Sequence, residues 1–378
     1  MVHLRGMTWS HRRAVAPLLA TLSAFRARRP DVEVTWQERP LSGFEFQSVR
    51  ELSATFDLII LDHPFAGDIA AGRYLLPLDG LLAGRDKEFA GPSLESYRYG
   101  GSIWALPVDA ACQVAVSRPD LITSFAATAP TTWNAVLALG EAVRRKGLSL
   151  AIGLKGVHSL MTFFTLMANS GYPSSVERDG PFFDRAAASK VLGTLRALIK
   201  FCPADVFDWN SIELHDAMVA RDDLVYCPAV YCYATYAERD QRQPLRFHQL
   251  PGLNGPSPAG SAIGGTGLGI SARCAEPEAA LAYARYLLEP ATQLAFAANN
   301  GQPARVEAWE DKAVDARFGG CFAATRSTIE AAWIRPRYAG YLGFQEQAGP
   351  LVERHLRGGL EEAALLRSLE ELRANSTP

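Results

Sequence analysis

No apolar stretch in this sequence approaches the roughly 18 residues that a membrane-spanning helix requires. Pro, Gly or charge interrupts every candidate, Asp57-Leu58-Ile59-Ile60-Leu61-Asp62 included, so insertion into a bilayer is excluded. An excess of one charge is also missing: 38 Lys+Arg against 40 Asp+Glu leave a formal charge of -2, and no global field draws the chain to nucleic acid or an anionic membrane. The basic runs Arg26 to Arg29 and Arg144-Arg145-Lys146 are short, fall at helix C-termini and lack interleaved aromatics. Cysteine is sparse, with six residues (Cys112, Cys202, Cys227, Cys232, Cys274, Cys321) and no CxxC pair. A chain this long needs no covalent staples, so buried free thiols are expected.

Motifs for metals, cofactors and nucleophiles are equally absent. The seven histidines show no HExxH spacing, and Glu213-Leu214-His215-Asp216 reads as solvated helix surface rather than a zinc site. Gly265-x-Gly267-x-Gly269 departs from the dinucleotide fingerprint and runs into the strand-like Ile270-Ser271. There is no Walker phosphate loop and no GxSxG elbow, so no metal and no cofactor is implied. Met1 to Trp9 lacks the basic start, apolar stretch and small-residue site of a secretory signal. The expectation is a cytoplasmic chain as it stands, periplasmic if a leader has been removed.

What is present fits a globular protein of two to three domains: 378 residues, 48% hydrophobic and 21% charged. Leu4 to Trp9 reads as a first strand, followed by a helix from about Pro17 to Arg29 with Leu18, Leu22 and Phe25 at helical spacing. Val32, Val34 and Trp36 alternate with polar residues, and Asp57 to Leu61 is the continuous run of a strand covered on both faces. Strand, helix, strand order argues an α/β sheet with right-handed crossovers. Trp104 to Ser117 is a further strand-like stretch, and Thr132 caps a helix reaching about Arg145. Leu160 to Ala168, Ala186 to Lys200, Pro277 to Leu288, Ala291 to Ala298 and Leu360 to Arg373 read as helices, the last with Leu365, Leu369 and Leu372 on one face. Gln249 to Gly269, crowded with Pro and Gly, reads as a crossover or hinge rather than an element.

Several phrases occur in a telling order: Pro30-Asp31-Val32-Glu33-Val34, Asp57 to Ile60 leading through Gly72-Arg73-Tyr74-Leu75-Leu76-Pro77-Leu78-Asp79, Trp104 to Asp109, Thr132-Trp133, Gly264 to Ser271, and Gly301-Gln302-Pro303-Ala304. That order resembles the extracellular solute-binding proteins of bacterial ABC importers, the maltose- and sugar-binding type often called family 1, over nearly the whole chain. The resemblance implies an α/β, two-lobed type II periplasmic-binding fold with a ligand cleft between lobes. Lobe one would comprise 1–109 and 258–303, lobe two 110–257 and 304–378. It also implies hinge closure on a small-molecule ligand (a carbohydrate, polyol or related hydroxy compound) and an ABC transporter permease as partner.

Carried over by position, Trp9 and His11 follow the first strand, and Asp62, His63 and Phe65 follow the third, where strand ends line a cleft. Asp109 falls where sugar binders keep a carboxylate that accepts hydroxyl hydrogen bonds, and Tyr231 and Tyr233 fall where an aromatic platform stacks on a sugar ring. Gly264, Gly265 and Thr266 would bring backbone N–H groups close to a ligand, with His158 and Trp209 completing the set from the second lobe. Each residue also has a purely structural reading: Asp62 as the cap of the His63-Pro64 turn, Trp209 as part of an ordinary loop, Trp104 and Trp133 as core. An alternative is an intracellular enzyme on the same fold, of isomerase, lyase or decarboxylase type. There His11, Asp62 and His63 would supply acid and base groups near neutral pH.

Overall fold

Alternating burial along Val32–Arg39 and complete burial of Leu58–Leu61 place these segments at the edge and in the middle of one sheet. The computed structural model describes residues 1–40, 47–126 and 128–377. The strands of its main sheet are β1 (Val2–Trp9), β2 (Val32–Arg39), β3 (Leu58–Leu61), β4 (Leu106–Ser117), β5 (Tyr226–Tyr231), β6 (Arg246–His248) and β7 (Ile263–Ile270). They run in the order β2-β1-β3-β7-β4-β5, with β6 also pairing β4. Pairing is parallel across β2-β1-β3 and antiparallel beyond, so the sheet is mixed rather than wholly parallel.

All twelve residues of β4 are buried, because the strand belongs to two halves of the molecule. Its first part, Leu106 to Cys112, pairs with β7; its second, Gln113 to Ser117, pairs with β5 and β6. Helices α1 (Arg12–Arg28), α6 (Pro277–Leu288) and α7 (Pro290–Ala298) accompany the first half. The second carries α2 (Trp133–Arg144), α3 (Val157–Asn169), α4 (Arg185–Ile199), α5 (Ser211–Ala220), α8 (Cys321–Glu330), α9 (Tyr341–Leu356) and α10 (Glu362–Asn375), α3 packing on α4 and α9 and α9 on α10. No helix among the described residues is long and apolar enough to cross a membrane.

Two expectations give way here. Helix α1 opens at Arg12 rather than near Pro17, because His11 Nδ1 accepts the Arg13 N–H at 3.1 Å and so caps the first turn. The Gly-rich run does contain an element: Ile263–Ile270 is a central strand. Its glycines are required by neighbours rather than by a turn. A Cβ on Gly267 would come within 2.8 Å of the Tyr97 ring, and one on Gly269 within 2.4 Å of Leu75, so bulky chains from the flanking layer occupy the room a side chain would take. Cys112, Cys227, Cys232 and Cys321 are buried and free, Cys202 and Cys274 half-buried.

Candidate functional site

The C-terminal end of β1, the turn after β3, the middle of β4, the end of β5 and the start of β7 converge on one cavity, closed from the other side by α3 and the 335–345 segment. It encloses about 780 Å³ of empty space, its open mouth included. Trp9, Phe65, Tyr231 and Tyr233 supply aromatic surface, Val157, Met161 and Leu342 aliphatic surface, and Asp62, Asp109, His158, Ser211, Thr266, Arg13, Arg335 and Gln345 polar groups.

Two ion pairs organise the polar lining. Arg13 grips Asp109 with both ends of its fork, Nε at 2.7 Å and Nη2 at 2.5 Å, and donates Nη1 to the Cys232 carbonyl at 2.6 Å. Its guanidinium lies 4.5 Å from the centroid of the Tyr233 ring. Burial pushes the Asp109 carboxyl up while the Arg13 charge pulls it back; burial likewise opposes the Arg13 charge, but Asp109 outweighs it and lifts Arg13 above its ordinary range. The short bidentate contact is that of an ionised pair.

Across the cavity Arg335 donates to Asp62 at 2.6 Å, to Gln345 Oε1 at 3.1 Å and to the Met161 sulfur at 3.5 Å. Burial works to raise Asp62, but the Arg335 charge and the His63 contacts prevail and hold it well below the usual carboxylate range. Two buried polar atoms on this lining, Thr266 Oγ1 and Arg335 Nε, have no hydrogen-bond partner among the described residues. Such groups are costly to leave unmet.

Glycine matters at two positions. Gly265 has φ +90°, and a Cβ there would lie 2.4 Å from the Asp109 carbonyl oxygen; a Cβ on Gly264 would lie 2.8 Å from the Tyr231 ring. These residues therefore let β7 run flush against both Asp109 and Tyr231.

Of the residues singled out from the sequence, Trp9, Asp62, Phe65, Asp109, His158, Tyr231, Tyr233, Gly264, Gly265 and Thr266 line the cavity. His11, His63 and Trp209 do not. His11 is spent on the α1 cap and packs edge-on to Tyr233 at 5.1 Å; burial and the neighbouring Arg13 and Arg12 charges lower it to about 3. His63 is fully buried, with Nδ1 3.1 Å from Asp62 and its ring edge-on to Tyr97. Burial and Arg335 lower it to about 4, so at neutral pH it is an uncharged packing group. Trp209 packs under the Arg221 guanidinium, 5.6 Å away. His158 sits at the start of α3, Nδ1 3.4 Å from Ser211 Oγ, lowered to about 4 by burial. His215, expected on a wet helix face, is instead fully buried, accepted by the Ser211 carbonyl at 2.5 Å and stacked on Tyr236 at 4.9 Å.

Sequence reasoning missed Arg13, Ser211, Arg335 and Gln345. Arg13 left a signal: it stands four and eight residues before Pro17 and Thr21, on the buried stripe of α1. Arg335 lies in irregular chain between α8 and α9, where no periodicity marks it.

A family model described as bacterial extracellular solute-binding protein matches residues 21–316. No curated protein sequence matches the chain significantly. Among solved structures, maltose-bound MalE3 of T. maritima superposes with a TM-score of 0.82 at 19% identity, covering 99% of each chain. A solute-binding protein of an ABC transporter from Agrobacterium radiobacter K84, in complex with ribitol, gives 0.82 at 17% identity over 99% of this chain and 98% of that one. One from Thermotoga lettingae, bound with alpha-D-tagatose, gives 0.81 at 15% identity over 99% of each. At these identities the likeness shows the fold, which is the two-lobed one.

Proposed function

The chain belongs to the bacterial extracellular solute-binding protein family, and from that premise we propose that it captures a neutral sugar or polyol in the cavity between β1, β4, β5 and β7 and presents it to an ABC transporter permease. The observation that carries the ligand class is the pairing of aromatic faces with a charge-compensated polar lining. Trp9, Tyr231 and Tyr233 offer surfaces for the C–H face of a sugar ring, while Asp62, Asp109, Arg13 and Arg335 offer strong acceptors and donors whose charges cancel. An acidic ligand would have to displace a carboxylate from one of the guanidinium groups. A polyhydroxy compound can share both pairs. Similar proteins bound to maltose, ribitol and tagatose support the same reading.

The lobes that close on the ligand are taken as 1–109 with 258–303, and 110–257 with 304–378. Contacts that cross this division include Arg335 with Asp62, Arg337 Nη1 with the Ser96 carbonyl at 3.0 Å, and the Gly340 N–H with Asp68 at 2.9 Å. A hinge motion would break and remake them.

The test is a thermal-shift and calorimetric screen with maltose, ribitol, tagatose and a set of sugar acids. A ligand at a hundredfold excess over its Kd adds about 2.7 kcal/mol of stability. Stabilisation by a neutral sugar or polyol, recovered chemically intact, is expected. A response confined to acids, or a ligand recovered altered, would sink the proposal.

A further inference from the structure

Behind the aromatic wall of the cavity, two buried thiols meet: Cys232 Sγ and Cys321 Sγ lie 3.5 Å apart. The sequence spacing gives no hint of the pair, since 89 residues separate them. Cys232 follows the end of β5, and Cys321 opens α8 after Gly320, whose φ of +80° turns the chain into that helix. Among the described residues, no other two cysteine sulfurs are within bonding contact. Cys112, though its carbonyl accepts the Cys232 N–H at 3.1 Å, makes no sulfur contact of this kind. We infer that Cys232 and Cys321 form a dithiol–disulfide site.

A disulfide needs its sulfurs about 2.05 Å apart, so the two must approach by about 1.5 Å from their present 3.5 Å. The chemistry is exchange with an external disulfide such as oxidised glutathione. One thiolate attacks it, releasing a thiol and leaving a mixed disulfide; the second protein thiolate then displaces the other half as a second thiol. The protein loses two protons and two electrons, and the oxidant takes up both as its two thiols form. Burial raises the Cys321 thiol and both thiols are buried, so exchange proceeds during folding rather than in the native state. Oxidising compartments are where such bonds persist.

The position of the site gives it a consequence for binding. Cys232 stands between Tyr231 and Tyr233, both on the cavity lining, and its carbonyl holds Arg13 at 2.6 Å. A bond to Cys321 anchors that segment to α8 and fixes the aromatic wall.

The experiment is to denature the reduced protein, refold it in glutathione redox buffer, and count thiols again in denaturant. The reduced chain titrates six thiols; refolding under oxidising conditions should leave four, with one peptide pair joining Cys232 to Cys321 and lighter by two hydrogens. Cys112→Ser should drop from five thiols to three with the same link, whereas Cys232→Ser or Cys321→Ser should keep all five. Six thiols surviving in the refolded protein overturn the inference. So does a link that runs through Cys112 or any other cysteine, and the Cys112→Ser arm reads this out even where the single serine variants at 232 or 321 fail to fold.

Discussion

The two carboxylate–guanidinium pairs that face each other across the cavity are built from the same groups and differ in nearly everything else. Asp109 and Arg13 are both buried, at 7% and 4% side-chain exposure, and meet through two hydrogen bonds, with Arg13 held further by the Cys232 carbonyl and the Tyr233 ring. Asp62 and Arg335 meet through one, and Asp62 keeps 24% of its side chain exposed. The first pair has no remaining freedom and sits where β4 meets β7. The second joins residues 273 apart in sequence, across the proposed division between lobes, and shares its members with His63, Gln345 and Met161. Burial without solvent makes an ion pair a fixed part of the fold, whereas partial solvent access leaves one able to exchange partners with a ligand.

The sharpest way to break the comparison is to remove one carboxylate at a time. Asp109→Asn leaves a buried guanidinium uncompensated and should cost about 3–5 kcal/mol of stability, read as a lowered urea midpoint. A loss under about 1 kcal/mol would show that water reaches Arg13 and that burial does not set the two pairs apart.

Acid should separate the two pairs next. His63, His158, His215 and His248 are lowered to about 4 and His11 to about 3, chiefly by burial, below their ordinary value of about 6.5. Above pH 6.5 they are neutral folded and unfolded alike. Between 6.5 and about 4 the unfolded chain binds protons the folded chain refuses, so stability falls as pH falls through that window, by up to about 3 kcal/mol for each such histidine. His63→Asn, beside Asp62, should flatten this slope, while Asp109→Asn leaves the histidine contribution to it in place. An unchanged slope for His63→Asn in denaturant titrations from pH 7 to pH 4 would mean that His63 is not held neutral.

Gly265→Ala tests the backbone that seats Asp109. Its positive φ and the 2.4 Å approach to the Asp109 carbonyl predict a loss of about 1–3 kcal/mol, visible as a drop in Tm. An alanine tolerated without a change in Tm would show that β7 has room to move off β4.

Asp62→Asn should cost less stability than Asp109→Asn, about 1–3 kcal/mol, because the Asp62 end of the pair meets solvent although Arg335 is buried. Its effect on the sugar or polyol found by the thermal-shift screen should be a tenfold or greater rise in Kd by calorimetry. An unchanged Kd would place Asp62 outside ligand recognition and leave it a latch between lobes.

Much of the fold was legible in the sequence because its signals are local. The burial alternation of Val32–Arg39, the unbroken apolar run at Leu58–Leu61, the Thr132 cap accepting the Ala135 N–H at 3.2 Å and the stripe of Leu365 and Leu369 each follow from residues a few positions apart. The Gly-rich strand was illegible, because its glycines answer to Tyr97, Leu75 and Tyr231, which come from distant parts of the chain. The site divides in the same way. Residues at strand ends, such as Trp9, Asp62 and Tyr231, could be placed in a cleft by position. The roles of His11 and His63 could not, because the neighbours that occupy or bury them decide whether an imidazole faces a ligand.

By itself, then, the sequence determined an α/β chain of this family, with its helices, most of its strands and the aromatic and acidic residues available to a cleft; these follow from periodicity and from short-range steric and hydrogen-bonding preferences. Only the tertiary structure decided that Arg13 would close on Asp109 and Arg335 on Asp62, that His63 would be sealed away neutral, and that Cys232 would meet Cys321. Each of those outcomes depends on which side chains share a buried space, and burial is set by the packing of segments tens to hundreds of residues apart.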